Sequence, residues 1–134
     1  MSRAEIAKAL GGRRSKYNVG GPETRTADNI VFMSAHERDA YLNLKALERC
    51  GQVVELKLQV SMPLFTMNMF ADSKIPITVA HLVLDFVTVD RSGTTTYYDA
   101  KAFDKKSGKF LPTPMAKLKI KWWEAQTGER VVFI

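Results

Sequence analysis

Two β-prone runs and the turn between them constrain the fold more than any other part of this chain. Val79 to Val89 is rich in branched and aromatic residues. Asp90-Arg91-Ser92-Gly93 has turn chemistry, and Thr94 to Lys101 is a second β-prone run. Asp90 to Thr94 fits a three-residue hairpin loop, a type I turn closed by a glycine in the left-handed region. With Asp90 facing Thr94, the register puts Asp85 opposite Asp99 and Val83 opposite Lys101. Side chains alternate along a strand, so Asp85, Asp99 and Lys101 share one face. Facing Cβ atoms lie about 4.5–5.5 Å apart, which presses two carboxylates together. Leu82, Val83, Leu84, Phe86 and Val87 surround Asp85. The competing reading, a salt bridge on a solvated sheet face, fits those apolar neighbours badly. A hard divalent cation with oxygen ligands, Mg²⁺ above all, relieves the repulsion. Lys101 is then placed to orient an attacking water and to offset charge developing on a phosphate.

Composition narrows the function classes. The 134 residues suit one domain, with 46% hydrophobic and 25% charged residues. The single Cys50 excludes an intramolecular disulfide and any multi-cysteine zinc site, and reads as small packing at a helix end. The two histidines, His36 and His81, are too far apart for a transition-metal motif. His36 is expected to be exposed, and His81, on the Asp85 face, to bond locally. No apolar run is long enough to span a membrane, and charges interrupt the N-terminus where a signal peptide needs its apolar stretch. The expectation is a soluble, cytoplasmic protein. A net charge of +6 with a pI near 9.6 suits a polyanionic partner such as nucleic acid.

Residues 1–28 read as a basic, flexible arm, with a short helix from Ala4 to Leu10 and a Gly-, Ser-, Thr- and Arg-rich remainder. A solvated tail and a DNA-contacting arm fit it equally. Residues 29–134 form the expected domain. Ser34-Ala35-His36-Glu37 is a capping-box pattern opening a helix that buries Ala40, Tyr41, Leu44 and Leu47 and ends at Cys50-Gly51. Val53 to Val60 alternates as a half-buried strand. Ser61 to Pro76, with Met62, Phe65, Met67, Met69 and Phe70, reads as an extended excursion or a bent strand, either core packing by adaptable methionines or a contact with a partner subunit. Pro112 to Gln126 is a second helix, with Thr113 as N-cap, Pro114 at N1 and a buried stripe of Met115, Leu118, Trp122 and Ala125. Trp122 and Trp123 read as packing. Arg130 to Ile134 closes the chain as a short strand. The order is helix, three strands, helix, strand, an α/β fold with a central mixed sheet flanked by helices.

An Asp in an apolar strand, a hairpin, then Asp99-Ala100-Lys101 resembles the signature of the PD-(D/E)XK nuclease superfamily. Ser34-x-x-Glu37, Leu58-Gln59, Leu84-Asp85-Phe86, Tyr98-Asp99-Ala100-Lys101 and the Lys-rich second helix together resemble a family of small, phage-encoded endonucleases within it, related to Holliday-junction resolvases. The likeness spans roughly residues 30–134. Tyr98 before Asp99, and Ala102 where glycine is expected after Lys101, depart from the pattern.

The resemblance implies a restriction-endonuclease-like core and a Mg²⁺-dependent endodeoxyribonuclease, with Mn²⁺ as a substitute and no organic cofactor. Asp85 and Asp99 hold the metal with the Ala100 carbonyl. Lys101 positions the attacking water, Glu37 completes the metal shell, and Gln59 and Lys117 stand just outside it. Glu37 has a second reading, as the capping-box residue alone. DNA contacts fall to Arg13, Arg14, Lys16, Lys105, Lys106, Lys109, Lys119 and Lys121. Branched DNA is the implied substrate, a homodimer the implied assembly, and a bacterial host's cytoplasm the implied location. The alternative is a non-catalytic nucleic-acid-binding phage protein that keeps a degenerate nuclease fold.

Overall fold

The computed structural model describes residues 21–67, 75–101 and 103–134. The chain forms strands β1 (Thr26–Ala27) and β2 (Ile30–Val31), helix α1 (Ala35–Arg49) and strands β3 (Val53–Met67), β4 (Pro76–Asp90) and β5 (Thr95–Asp99). Strands β6 (Phe103–Asp104) and β7 (Lys109–Phe110), helix α2 (Pro114–Thr127) and strand β8 (Val131–Phe133) follow. The central sheet is mixed, in the order β3-β4-β5-β8: β4 is antiparallel to β3 and β5, and β8 runs parallel to β5. The protein is therefore α/β, with two helices on a mixed central sheet. Among the described residues no helix is long and apolar enough to cross a membrane.

The hairpin that dominates the sequence forms in the expected register. Phe86 faces Tyr98 and Val89 faces Thr95, which puts Asp85 and Asp99 opposite each other one step beyond the paired ladder. The turn is self-supporting: Asp90 Oδ1 accepts from the N–H groups of Ser92 at 2.9 Å and Thr94 at 3.0 Å. Gly93 takes φ +84, a conformation that a Cβ disfavours. Helix α1 starts where Ser34 Oγ accepts from the Glu37 N–H at 3.1 Å. Helix α2 starts at Thr113, whose Oγ1 accepts from the Ala116 N–H at 3.2 Å, and stops at left-handed Gly128.

Several sequence expectations are corrected. Of the two readings after Val60 the strand is the one formed: β3 continues to Met67 and pairs with β4 back to Pro76, with a register shift between Leu64 and Phe65. Met69 and Phe70 lie outside the described residues. Helix α2 buries Ile120 and Trp123, while Met115 and Leu118, expected in its core stripe, are 61% and 58% exposed, and Ala125 is exposed. The helix carries two apolar stripes, so spacing alone admits both. The bulkier Ile120–Trp123 side meets the sheet, where Trp123 packs edge-on against Tyr97 at 4.7 Å. Leu47 is likewise exposed on α1. Residues 22–31, at the border of the expected arm, form a 3-10 turn and the β1–β2 hairpin, held on α1 by the Tyr41 hydroxyl donating to Asp28 at 2.7 Å.

Two core clusters lie on the sheet. Phe32, Ala40, Tyr41, Leu44 and Phe86 pack at α1, and Leu64, Leu82, Leu84, Val87, Ile120 and Trp123 pack at α2. Strict alternation would put Leu84 and Phe86 in one cluster, yet they part. Leu58 and Val60, their partners on β3, part in the same way. The alternation slips at the residues between them, Asp85 and Gln59. Gln59 has φ +51, a left-handed conformation costly for any residue with a Cβ.

Candidate active site

This slip sits at the centre of a polar cluster built from four elements. Asp85 comes from β4, Asp99 from the end of β5, Lys101 from the segment just after it and Glu37 from the first turn of α1. Gln59 joins them from β3. The Gln59 side-chain amide donates to Glu37 Oε1 and to Asp85 Oδ1, both at 3.2 Å. The Ala100 N–H donates to Asp85 Oδ2 at 2.8 Å. Lys101 Nζ pairs with Asp99 Oδ2 at 2.8 Å. Ile134 closes the rear: its N–H donates to Asp99 O at 3.1 Å, and its O accepts from the Lys101 N–H at 3.2 Å.

Burial makes the cluster electrostatically tense. Glu37 is 6% exposed and Asp99 3% exposed, among few buried charged groups in the described chain. Burial first, then the charge of Asp85, lifts the Glu37 carboxyl to about 7, against weaker pulls from the Met33 backbone and Lys101. Asp99 is also pushed well above the usual carboxylate range, by burial and then by sharing a hydrogen bond with Asp85. The close Lys101 ammonium offsets only part of that rise. Without a further cation, the cluster therefore holds protons at neutral pH that isolated carboxyls would release.

The donor set fits Mg²⁺ in kind. Hard carboxylate oxygens are its preferred ligands, and one or two carboxylates with water and phosphate often complete its shell. Asp85 and Asp99 are two carboxylates on facing strand positions, the kind of donor such a shell uses. Among the described residues no group of three or more His, Cys, Asp or Glu side chains is arranged to hold a metal ion as it stands. The Gln59 amide lies between Glu37 and Asp85 and is bonded to both. The structure thus brings together Glu37, Asp85, Asp99, Lys101, Ala100 and Gln59. Ala100 meets Asp85 through its N–H. Of the two readings of Glu37, the cap half is present at Ser34, while its carboxylate also reaches inward to Gln59.

Other sequence candidates lie elsewhere. Among the described residues no hydrogen bond or ion pair joins Lys117 to the carboxylates, and Lys117 is exposed in the first turn of α2. Lys119 is half-buried, and exposed Lys121 sits with Glu124 and Arg130 near the end of α2. Lys105, Lys106 and Lys109 are exposed on the β6–β7 hairpin. Arg13, Arg14 and Lys16 lie outside the described residues. His81 is exposed opposite Pro63. Cys50 is a free, exposed thiol rather than a packed one.

Two features escaped the sequence reading. His36 Nε2 lies 2.6 Å from Ile134 O, tying α1 to the backbone that braces Asp99 and Lys101. The β6–β7 hairpin packs Phe103 against Phe110, with ring centroids 5.1 Å apart. Its signals were Asp104 and Gly108, turn residues flanked by aromatics. No protein-family model, curated protein or solved structure matches the chain.

Proposed function

We propose that the protein is a Mg²⁺-dependent endodeoxyribonuclease on a restriction-endonuclease-like core. The observation that carries this reading is the meeting of Asp85, Asp99 and Lys101, joined by Glu37, at a break in the sheet. Asp85 and Asp99 would hold the ion, with Glu37 beside them. When bound, Mg²⁺ neutralises phosphate charge and makes water a competent nucleophile. Lys101, held by Asp99, presents an ammonium to the scissile phosphate and orients the attacking water. Gln59 keeps Glu37 and Asp85 apart and aligned. The Ala100 N–H and the Ile134 backbone fix the acidic strand ends, so the groups are preorganised before substrate arrives. The lysines of the β6–β7 hairpin would contact the DNA backbone without reading sequence. A homodimer, with exposed Phe65 and Met67 in its contact surface, belongs to the same proposal.

One observation favours the non-catalytic alternative: Gln59 already satisfies Glu37 and Asp85 without a metal. A cleavage assay on linear, single-stranded and four-way-junction DNA, with Mg²⁺, Mn²⁺ or EDTA, separates the readings. The nuclease cleaves at least one of these with either metal and none in EDTA. Asp85→Asn then loses cleavage, on the order of a hundredfold or more, while it still binds DNA. A binding protein cleaves nothing, and Asp85→Asn changes little.

A further inference from the structure

We infer that the cavity between α1 and the β6–β7 hairpin is a subsite for an unpaired nucleobase of the DNA strand being cut. The inference rests on the nuclease reading and deepens it. The cavity has a volume of about 490 Å³ and is lined by His36, Phe103, Lys105, Phe110 and Ile134. Its aromatic wall is preformed: Phe110 packs on Phe133 at 5.8 Å and on Phe103 at 5.1 Å with the rings inclined by 62°. Phe103 stays 46% exposed, so its ring is open to a ligand from solvent.

Position ties this cavity to the reacting groups. Ile134, in its wall, is hydrogen-bonded through its backbone to both Asp99 and Lys101. His36, also in the wall, holds the same Ile134 oxygen at 2.6 Å and precedes Glu37 in α1. Phe103 follows Lys101 by two residues. A strand whose phosphate met Lys101 would therefore carry a neighbouring base to the Phe103 ring.

Charge completes the match. Lys105 is at the cavity, Lys106 and Lys109 are exposed on the same hairpin, and none of the three pairs with a carboxylate among the described residues. A flat aromatic face beside several free cations suits a polymer that alternates flat rings with anions. The cavity walls offer few groups for reading base edges, so the subsite accepts any base. It also favours substrates whose bases are already unpaired, since a paired base must first be unstacked.

The test uses the full chain in EDTA, where the strand stays intact. A short oligonucleotide carrying the fluorescent base 2-aminopurine is titrated as a single strand and as a duplex. The wild-type protein should quench the single strand's fluorescence and bind it more tightly than the duplex. Phe103→Leu, which keeps the bulk and loses the ring, should weaken single-strand binding about tenfold and abolish the quench, leaving duplex binding unchanged. Phe103→Trp should restore both. Unchanged quenching in Phe103→Leu would overturn the subsite, as would equal losses in the Leu and Trp variants, which mark a packing role alone. The nuclease reading fails separately, by the absence of cleavage of any DNA with Mg²⁺ by the wild-type protein.

Discussion

Glu37 and Gln59 show how much of this site turns on single side chains. The backbone N–H of Glu37 completes a helix cap at Ser34 while its carboxylate faces Gln59. Glu37→Gln keeps the cap and removes the negative charge. If Glu37 acts with the metal, the variant loses cleavage, on the order of tenfold or more, with its melting temperature unchanged or raised. Wild-type cleavage by the variant would leave Glu37 a cap only. Gln59 allows a sharper structural test. In an ordinary strand, alanine is more stable than glycine by about 0.5–1 kcal/mol. At φ +51 the order should reverse, with Gln59→Gly more stable than Gln59→Ala by about 1 kcal/mol in urea denaturation. The ordinary order would mean that residue 59 is not left-handed. Gln59 was legible in the sequence only as a polar residue matching a family position. Its backbone was not, because glutamine carries no signal for positive φ.

At the scale of elements, legibility followed the strength of local chemistry. The β4–β5 register was readable because Asp90, Ser92, Gly93 and Thr94 admit few turns, and that register brings Asp85 to Asp99. Helix α2 was placed correctly by Thr113, Pro114 and Gly128, yet its buried face was misread because two apolar stripes compete. Truncation tests the corrected face. Trp123→Ala should cost about 3–5 kcal/mol of stability, and Leu118→Ala no more than about 0.5 kcal/mol, by chemical denaturation. The reverse ranking would return the core to Leu118. The β1–β2 and β6–β7 hairpins were missed because two-residue strands show no alternation, although Asp28 and Asn29, both at positive φ, are residue types that tolerate that conformation in tight turns.

For the whole molecule, the buried carboxyls set how stability responds to pH. Burial raises Glu37 to about 7 in the folded chain and Asp99 in the same sense, whereas both fall in the ordinary carboxylate range when unfolded. Between those limits the folded state binds more protons, so stability falls as pH rises. Their stabilising contribution is fully present below the unfolded values and is lost as pH passes through about 7. The melting temperature in EDTA should therefore drop across that window, and Glu37→Gln should flatten the drop. Mg²⁺ should raise the melting temperature most above the window, where the carboxylates are ionised. A melting temperature that climbs with pH across the window would contradict the buried, mutually repelling arrangement.

If Asp85 and Asp99 hold a hard cation beside Lys101, metal binding needs both carboxylates. Calorimetric titration of Mn²⁺ and Mg²⁺ into the wild-type chain, Asp85→Asn and Asp99→Asn tests it most directly. The expected result is saturable binding in the wild-type protein that either substitution abolishes while the fold is kept. Identical isotherms for all three proteins would contradict it.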